Sequence, residues 1–206
     1  MSKYLYAQIR NSIELGWTAK DIILLATFDF EFMGVNAIKT ELNIDSWTDS
    51  KSYGLKYLFN NEMVDDVIWV HDLDCWQNVV FECPDFKDIG IVDCGGGRYN
   101  GGCFFIKKSA QDIFFDVMDI VESTDKDIEE PAMNEVFRKD GYKERVTLLN
   151  DTYNVGCTGY EMRFSKADKP VKIFHFHPER RYQWLLQRQN LSERLRLLLR
   201  KEFYDQ

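Results

Sequence analysis

Cysteine is scarce in this chain of 206 residues, and its spacing carries no motif. The number is odd and no C-x-x-C pair occurs among Cys75, Cys83, Cys94, Cys103 and Cys157. This argues against a zinc ribbon and against a complete disulfide framework. We expect reduced, mostly buried thiols, and we assign a catalytic role to none of them.

Long apolar runs are also missing. The longest, such as residues 22–26, fall far short of the length that crosses a bilayer. No charged-then-apolar signal segment opens the chain, and we find no internal repeat, linker or low-complexity stretch. We therefore expect a soluble, cytoplasmic protein without a membrane span.

The chain has no excess of positive charge. Twenty-six basic residues stand against thirty-four acidic ones, for a net charge of −8. Nucleic acid is therefore not expected as the main partner, although a small phosphorylated ligand held through a metal ion is compatible with this charge. The length and a hydrophobic content of 45% predict one globular domain over residues 1–206.

An apolar run that ends at two acids is the most informative segment. Residues 67–70 (VIWV) have the length and composition of a strand buried on both faces, and Asp72 and Asp74 follow it. In an extended chain these two carboxylates would point the same way and repel each other unless a cation lay between them. Mg²⁺ or Mn²⁺ would suit such a site, and the alternative is an acidic turn after a core strand.

Two later segments are further candidates. Five glycines fall in residues 95–102, where they expose backbone amides beside Arg98 and Asn100, and the alternative is a flexible hairpin. Residues 171–177 alternate with period two, which places His175 and His177 on one face of a predicted strand. Two of three histidines on one face favour a site over a structural role.

Helical and strand patterns alternate along the chain, which is typical of an α/β fold. Helices are predicted for residues 2–15, 50–60 and 131–137, a buried strand for residues 21–27, and a last helix after residue 192 with leucines on its inner face. Glu129 precedes a helix and fits a cap or dipole partner, whereas Glu130 is retained as a candidate for chemistry.

Four separated segments together resemble the GT-A glycosyltransferases. They are HDLDCWQ at residues 71–77, YNGG at 99–102, EEPAMN at 129–134 and HFHP at 175–178. Within that superfamily the pattern is similar to the small glycosyltransferases of large algal viruses and their bacterial relatives, and more distantly to the glycogenin type. The similarity covers residues 4–178. It implies an α/β fold with a mixed, mostly parallel central sheet flanked by helices and a C-terminal helix.

The resemblance implies a nucleotide-sugar donor, usually a UDP-sugar, and a glycan or other hydroxyl acceptor. Its metal ion would be Mn²⁺ or Mg²⁺. In the family a divalent ion is bound by the second acid of the motif, here Asp74, while Asp72 contacts the metal, the ribose or both. A late histidine completes the metal site, and His175 matches it best, with His177 a close rival. If the chain is viral, the host cytoplasm would be its location.

The remaining family positions concern the sugar and the diphosphate. Asn100, Gly101 and Gly102 match the segment that lines the donor-sugar pocket, next to Arg98. Glu130, with Glu129, matches the pair beside the transferring sugar. Lys51 falls where several relatives carry a basic residue for the diphosphate. Likeness to the glycogenin type slightly favours retention of configuration.

One departure and three alternatives accompany this resemblance. GT-A enzymes open with a strand that helps to hold the base, whereas this chain begins at the following helix. Either that strand is missing or replaced, or the chain is part of a longer polypeptide. A haloacid-dehalogenase-type phosphatase would want Thr or Val where Trp76 stands, and a sugar-nucleotide pyrophosphorylase needs a glycine-rich basic loop at its start. A non-catalytic sugar-binding module remains open and would bind free glycan without UDP.

Overall fold

The computed structural model describes residues 2–41, 50–64, 66–124, 128–156, 160–176 and 191–203. The chain divides into two compact units. The first unit consists of Met1–Glu41, Asp72–Glu82 and Asn150–Gln206, and the second of Leu42–His71 and Cys83–Leu149.

The described elements alternate between helices and strands, as predicted. The helices are α1 (Ser2–Glu14), α2 (Ser50–Asn60), α3 (Gln111–Glu122), α4 (Glu129–Val136), α5 (Tyr160–Lys166) and α6 (Glu193–Phe203). The strands are β1 (Leu25–Ala26), β2 (Glu31–Phe32), β3 (Val35–Asn36), β4 (Ile38–Lys39), β5 (Val67–His71), β6 (Cys75–Gln77), β7 (Ile89–Asp93), β8 (Tyr99–Lys107), β9 (Val146–Leu148), β10 (Val155–Gly156) and β11 (Ile173–His175). The α/β class with a C-terminal helix is confirmed.

A four-stranded sheet with order β5-β8-β7-β9 organises the second unit. Its long strand β8 is antiparallel to both neighbours, and β7 is parallel to β9. Alternate side chains of β8 pack into two apolar layers. Phe104 stacks on Phe114 of α3, and Phe105 stacks on Trp69 of β5. This two-sided burial explains the uninterrupted apolar run at residues 103–106.

In the first unit, β11 forms the centre of a three-stranded sheet, parallel to β10 and antiparallel to β6. Helix α1 ends where Gly16 adopts φ +97°, a conformation that glycine tolerates best. Ser192 caps the N-terminus of helix α6, because its hydroxyl accepts a hydrogen bond from the Leu195 N–H at 3.2 Å. The predicted inner face of this last helix is confirmed by four buried leucines: Leu191, Leu195, Leu198 and Leu199.

Two predicted strands differ from the structure. Within residues 21–27 only Leu25–Ala26 is a strand, because a 3₁₀ turn at Ala19–Asp21 precedes it and the Asp21 carboxylate accepts from the Thr18 N–H at 2.7 Å. The hydrogen bonds from Thr18 lower the pKa of Asp21. Strand β5 is half-buried throughout, because among the described strands it pairs only with β8 and so forms a sheet edge.

No described helix combines the length and apolar composition needed to cross a bilayer.

Candidate functional site

Asp72 and Asp74 lie in a turn between β5 and β6. The Cys75 N–H donates to the Asp72 carbonyl oxygen at 3.1 Å, which closes the turn. The prediction that an extended backbone would align the two carboxylates is therefore wrong, because the backbone forms a turn at these residues. Their convergence on a third side chain has a different origin, in the strand that runs beside β6.

That third side chain is His175, at the end of β11. Its Nε2 lies 3.4 Å from Asp74 Oδ1 and 3.7 Å from Asp72 Oδ2. The imidazole is buried, whereas the two carboxylates are partly exposed. The structure thus brings together three of the four predicted metal-binding residues, and His177 lies outside the described residues.

Strand pairing explains how the histidine reaches the acids. His175 stands directly opposite Cys75 in the antiparallel pair of β11 and β6. The Phe176 N–H donates to the Asp74 carbonyl at 3.0 Å, so the His175–Cys75 pair is of the non-hydrogen-bonded kind, in which side chains approach most closely. The histidine is therefore fixed by a ladder that also holds the backbone of Asp74.

Cys75 joins this cluster, and sequence reasoning missed it. The ligand atoms of Asp74, Cys75 and His175 all lie within 4.8 Å of one another. Period-two alternation alone would place neighbouring residues 74 and 75 on opposite faces, and only the turn brings them together. The carboxylate and imidazole atoms suit a divalent ion such as Mn²⁺ or Zn²⁺, and the sulfur of Cys75 would favour Zn²⁺, since Mn²⁺ and Mg²⁺ prefer oxygen ligands.

A second cluster of predicted residues lies in the second unit, around Glu130. Asn100 Nδ2 donates to Glu130 Oε2 at 3.3 Å, and Arg98 Nη2 lies 3.6 Å from Glu130 Oε1. The Asn100 Oδ1 in turn accepts from the Gly102 N–H at 3.2 Å. Three predicted donor-binding residues therefore meet the predicted catalytic carboxylate in one network.

Asn134, which was part of the EEPAMN motif but had no assigned role, holds this network in place. Its amide exchanges two hydrogen bonds with the backbone of Tyr99, at 2.8 and 2.9 Å, and donates to the Glu130 carbonyl at 2.8 Å. One buried side chain thus joins the start of β8 to the first turn of α4. Gly101 permits this approach, because a Cβ there would lie 3.3 Å from Met133 Sδ.

The glycine-rich segment is an ordered hairpin. Residues 95–97 all have positive φ, and the N–H groups of Gly95 and Gly97 donate to the Asp93 carboxylate at 2.7 and 3.2 Å. The Cys94 N–H donates to the Arg98 carbonyl at 2.7 Å and closes the loop. Two of the amides expected to face a ligand are therefore bonded to Asp93.

Glu129 and Lys51 form a pair of their own. Lys51 Nζ lies 3.3 Å from Glu129 Oε1, and the Ser52 N–H in the first turn of α2 donates to Glu129 Oε2 at 3.0 Å. Glu129 is therefore a cap, as its sequence position suggested, although the helix it caps is α2. Burial raises the pKa of Glu129 in spite of the opposing effects of Lys51 and Ser52.

A pH-dependent stability difference follows from that raised pKa. The proton is held more tightly in the folded state, so the stability that Glu129 contributes is complete below its unfolded pKa and is lost as the pH rises through its folded pKa. We expect wild type to lose thermal stability relative to Glu129→Gln as the pH rises from about 4.3, the ordinary glutamate value. Paired melting curves between pH 4 and 8 measure this difference, and a pH-independent difference would contradict it.

Comparisons with known proteins give structural matches only. No family model and no curated protein matches the chain. The galactosyltransferase LgtC, solved with donor and acceptor sugar analogs, is matched with a TM-score of 0.56 at 15% identity over 97% of this chain and 91% of LgtC. The glycosyltransferase GlyE of Streptococcus pneumoniae TIGR4 is matched with a TM-score of 0.53 at 16% identity over 97% of this chain.

The chain has the GT-A glycosyltransferase fold. It spans about half the length of GlyE, 49% of that chain. A glycosyltransferase involved in glycosylation of the major capsid of PBCV-1 gives a TM-score of 0.46 at 13% identity, over 68% of this chain and 76% of that one. The predicted fold is confirmed by the matches to LgtC and GlyE.

Proposed function

We propose that this protein is a metal-dependent glycosyltransferase that moves a sugar from a nucleotide-sugar donor, a UDP-sugar, to a hydroxyl group of a glycan or other acceptor. The observation that carries the proposal is the approach of His175 Nε2 to both acids of the Asp-x-Asp motif, at 3.4 and 3.7 Å. Residues 101 and 103 positions apart in sequence meet there, in a chain with the GT-A fold.

In the first unit, Asp72, Asp74 and His175 would hold a divalent ion, with Cys75 as a neighbouring sulfur ligand. Such an ion, when bound, supplies positive charge that stabilises a departing diphosphate. The two carboxylates would neutralise part of that charge, and the buried imidazole would help to hold the ion in place. His177 remains a rival ligand in this proposal.

In the second unit, Glu130 would act next to the transferring sugar. Transfer breaks the bond between the sugar carbon and the diphosphate oxygen, and the electron pair leaves with the diphosphate. The acceptor hydroxyl oxygen forms the new bond and gives up its proton. A carboxylate such as Glu130 could stabilise the positive sugar carbon, attack it, or take that proton.

The residues bonded to Glu130 would position the donor. Asn100 and Arg98 contact the carboxylate. We assign Gly101 and Gly102, which follow Asn100 in β8, to the donor-sugar segment on the likeness of the motif, and Gly101 packs closely against Met133. Lys51 is paired with Glu129 at 3.3 Å, so we propose for it a weaker role toward the diphosphate. We also propose retention of configuration, on the likeness of the motifs to the glycogenin type.

Thermal stabilisation by nucleotide and metal tests this function. At a ligand concentration a hundred times Kd the folded state gains about 2.7 kcal/mol, which corresponds to about 5–11 °C in Tm for a chain of this size. We expect UDP with Mn²⁺ to give such a shift and UDP with EDTA to give none. Equal shifts with and without EDTA would exclude the metal assignment.

The same assay distinguishes a non-catalytic sugar-binding module. The Tm of such a module would rise with free glycan and would not change with UDP. A screen of nucleotide sugars for slow, Mn²⁺-dependent hydrolysis then identifies the donor, because most transferases release a little sugar to water.

A further inference from the structure

The edge of β6 that faces away from β11 carries backbone carbonyls that pair with none of the described strands. The Asp74 carbonyl and the Asn78 N–H both bond toward β11. The carbonyls of Cys75 and Gln77 therefore point to the opposite edge, since successive carbonyls alternate in a strand. The carbonyl of Leu73, in the turn before β6, lies on the same side and accepts from the same helix. Buried carbonyls of this kind need donors from elsewhere in the fold.

Helix α1 supplies those donors from its side chains. Gln8 Nε2 donates to the Leu73 carbonyl at 2.8 Å and to the Cys75 carbonyl at 2.5 Å. Three residues further along the same helix face, Asn11 Nδ2 donates to the Gln77 carbonyl at 3.1 Å. Both side chains are buried, with exposed fractions of 5% for Gln8 and 0% for Asn11.

The two carbonyls that Gln8 holds belong to the residues on either side of Asp74. Both partners are acceptors, so the amide NH₂ group must face them, and it uses both of its hydrogens. Asp74 is therefore held from two directions, through its own carbonyl by the Phe176 N–H and through its neighbours by Gln8.

We propose that Gln8 is a positioning residue that fixes the Asp72–Asp74 turn for metal binding. This proposal rests on the proposed function. The amide donates two hydrogen bonds where a neighbouring strand would otherwise donate them, at the point where the turn ends and β6 begins. Groups that orient metal ligands in this way commonly change metal affinity by about 10-fold to 100-fold when removed.

Asn11 provides a matched control on the same helix and the same strand edge. It also accepts from Arg194 Nη2 at 2.7 Å, so its loss removes at least as many hydrogen bonds as the loss of Gln8. Its strand partner is Gln77, which lies at the far end of β6 from the turn. Asn11→Leu should therefore destabilise the fold without disturbing Asp74.

The experiment measures Mn²⁺ affinity in the presence of UDP by the loss of the free Mn²⁺ EPR signal. We expect Gln8→Leu to bind Mn²⁺ about 10-fold or more weakly, and Asn11→Leu to bind it within about twofold of wild type. Gln8→Met, which keeps the length of the side chain without its donors, serves if the leucine variant does not fold. The EPR line shape of bound Mn²⁺ reports whether the ligands move.

Each outcome decides one question. Equal Mn²⁺ affinity in wild type and both Gln8 variants would overturn the positioning role. An equal loss of Mn²⁺ affinity in the Gln8 and Asn11 variants would show that Gln8 contributes only to general packing, and would also overturn the positioning role. Absence of Mn²⁺ binding by wild type with UDP would instead overturn the proposed function.

Discussion

Asp74→Ala should reduce metal-dependent turnover of a UDP-sugar by at least about a hundredfold, because loss of a ligand to the ion weakens the positive charge that would stabilise the departing diphosphate. Asp74 Oδ1 lies 3.4 Å from His175 Nε2, and the same side chain belongs to the cluster with Cys75. The variant would leave Asp72 and His175 as an incomplete set. Turnover at saturating Mn²⁺, with Mn²⁺ affinity measured in parallel, provides the test.

The fold of this variant should be unaffected. Asp74 lies in a turn next to another carboxylate, and its removal relieves repulsion between like charges. Asp29→Ala is the matched control in the same unit, because the Asp29 side chain is 89% exposed and pairs only with a surface lysine among the described contacts. Full activity in Asp74→Ala, or activity that survives EDTA, would refute the metal assignment.

Glu130→Gln should lower kcat by about 10²-fold to 10⁴-fold, the range for loss of a carboxylate that acts on the reacting groups. Glutamine keeps the shape of the side chain and an oxygen that can accept from Asn100. The variant removes the negative charge, which is the property that a developing positive sugar carbon or an acceptor proton requires. Initial rates over a range of donor concentrations separate kcat from KM.

Stability should change little in Glu130→Gln. The Arg98 partner of Glu130 is 74% exposed, and exposed ion pairs contribute at most about 1 kcal/mol. Glu135→Gln on the exposed side of the same helix is the control and should retain wild-type kcat. An increase in KM at constant kcat in Glu130→Gln would assign the residue to donor binding and contradict a chemical role.

Glu129 illustrates why neighbouring acids in one motif need separate tests. Both glutamates precede Pro131 and look alike in sequence, yet Glu129 is buried against α2 whereas Glu130 is partly exposed. The first is engaged by Lys51 and by the Ser52 N–H. Loss of activity in Glu129→Gln would thus reflect the position of α2, and the pH dependence of stability identifies that role.

The sequence by itself determined where several helices begin and end, because these positions depend only on residues that are close together in the chain. The ends of α1, α2 and α6 follow from a terminal glycine, polar starts and leucine periodicity, all of which act within a turn or two of helix. The two acids, the glycine-rich segment and the histidine strand were visible as motifs for the same reason. Their order along the chain was enough to predict the GT-A fold that the structural matches confirm.

Only the tertiary structure decided which side chains meet. Strand pairing across 100 residues brings His175 opposite Cys75, a turn directs Asp74 toward both, and Gln8 of α1 satisfies the edge carbonyls beside it. Burial likewise paired Lys51 with Glu129 and left Glu130 with Arg98 and Asn100. A local pattern carries no information on such contacts, because they arise when the chain satisfies buried polar groups that are distant in sequence.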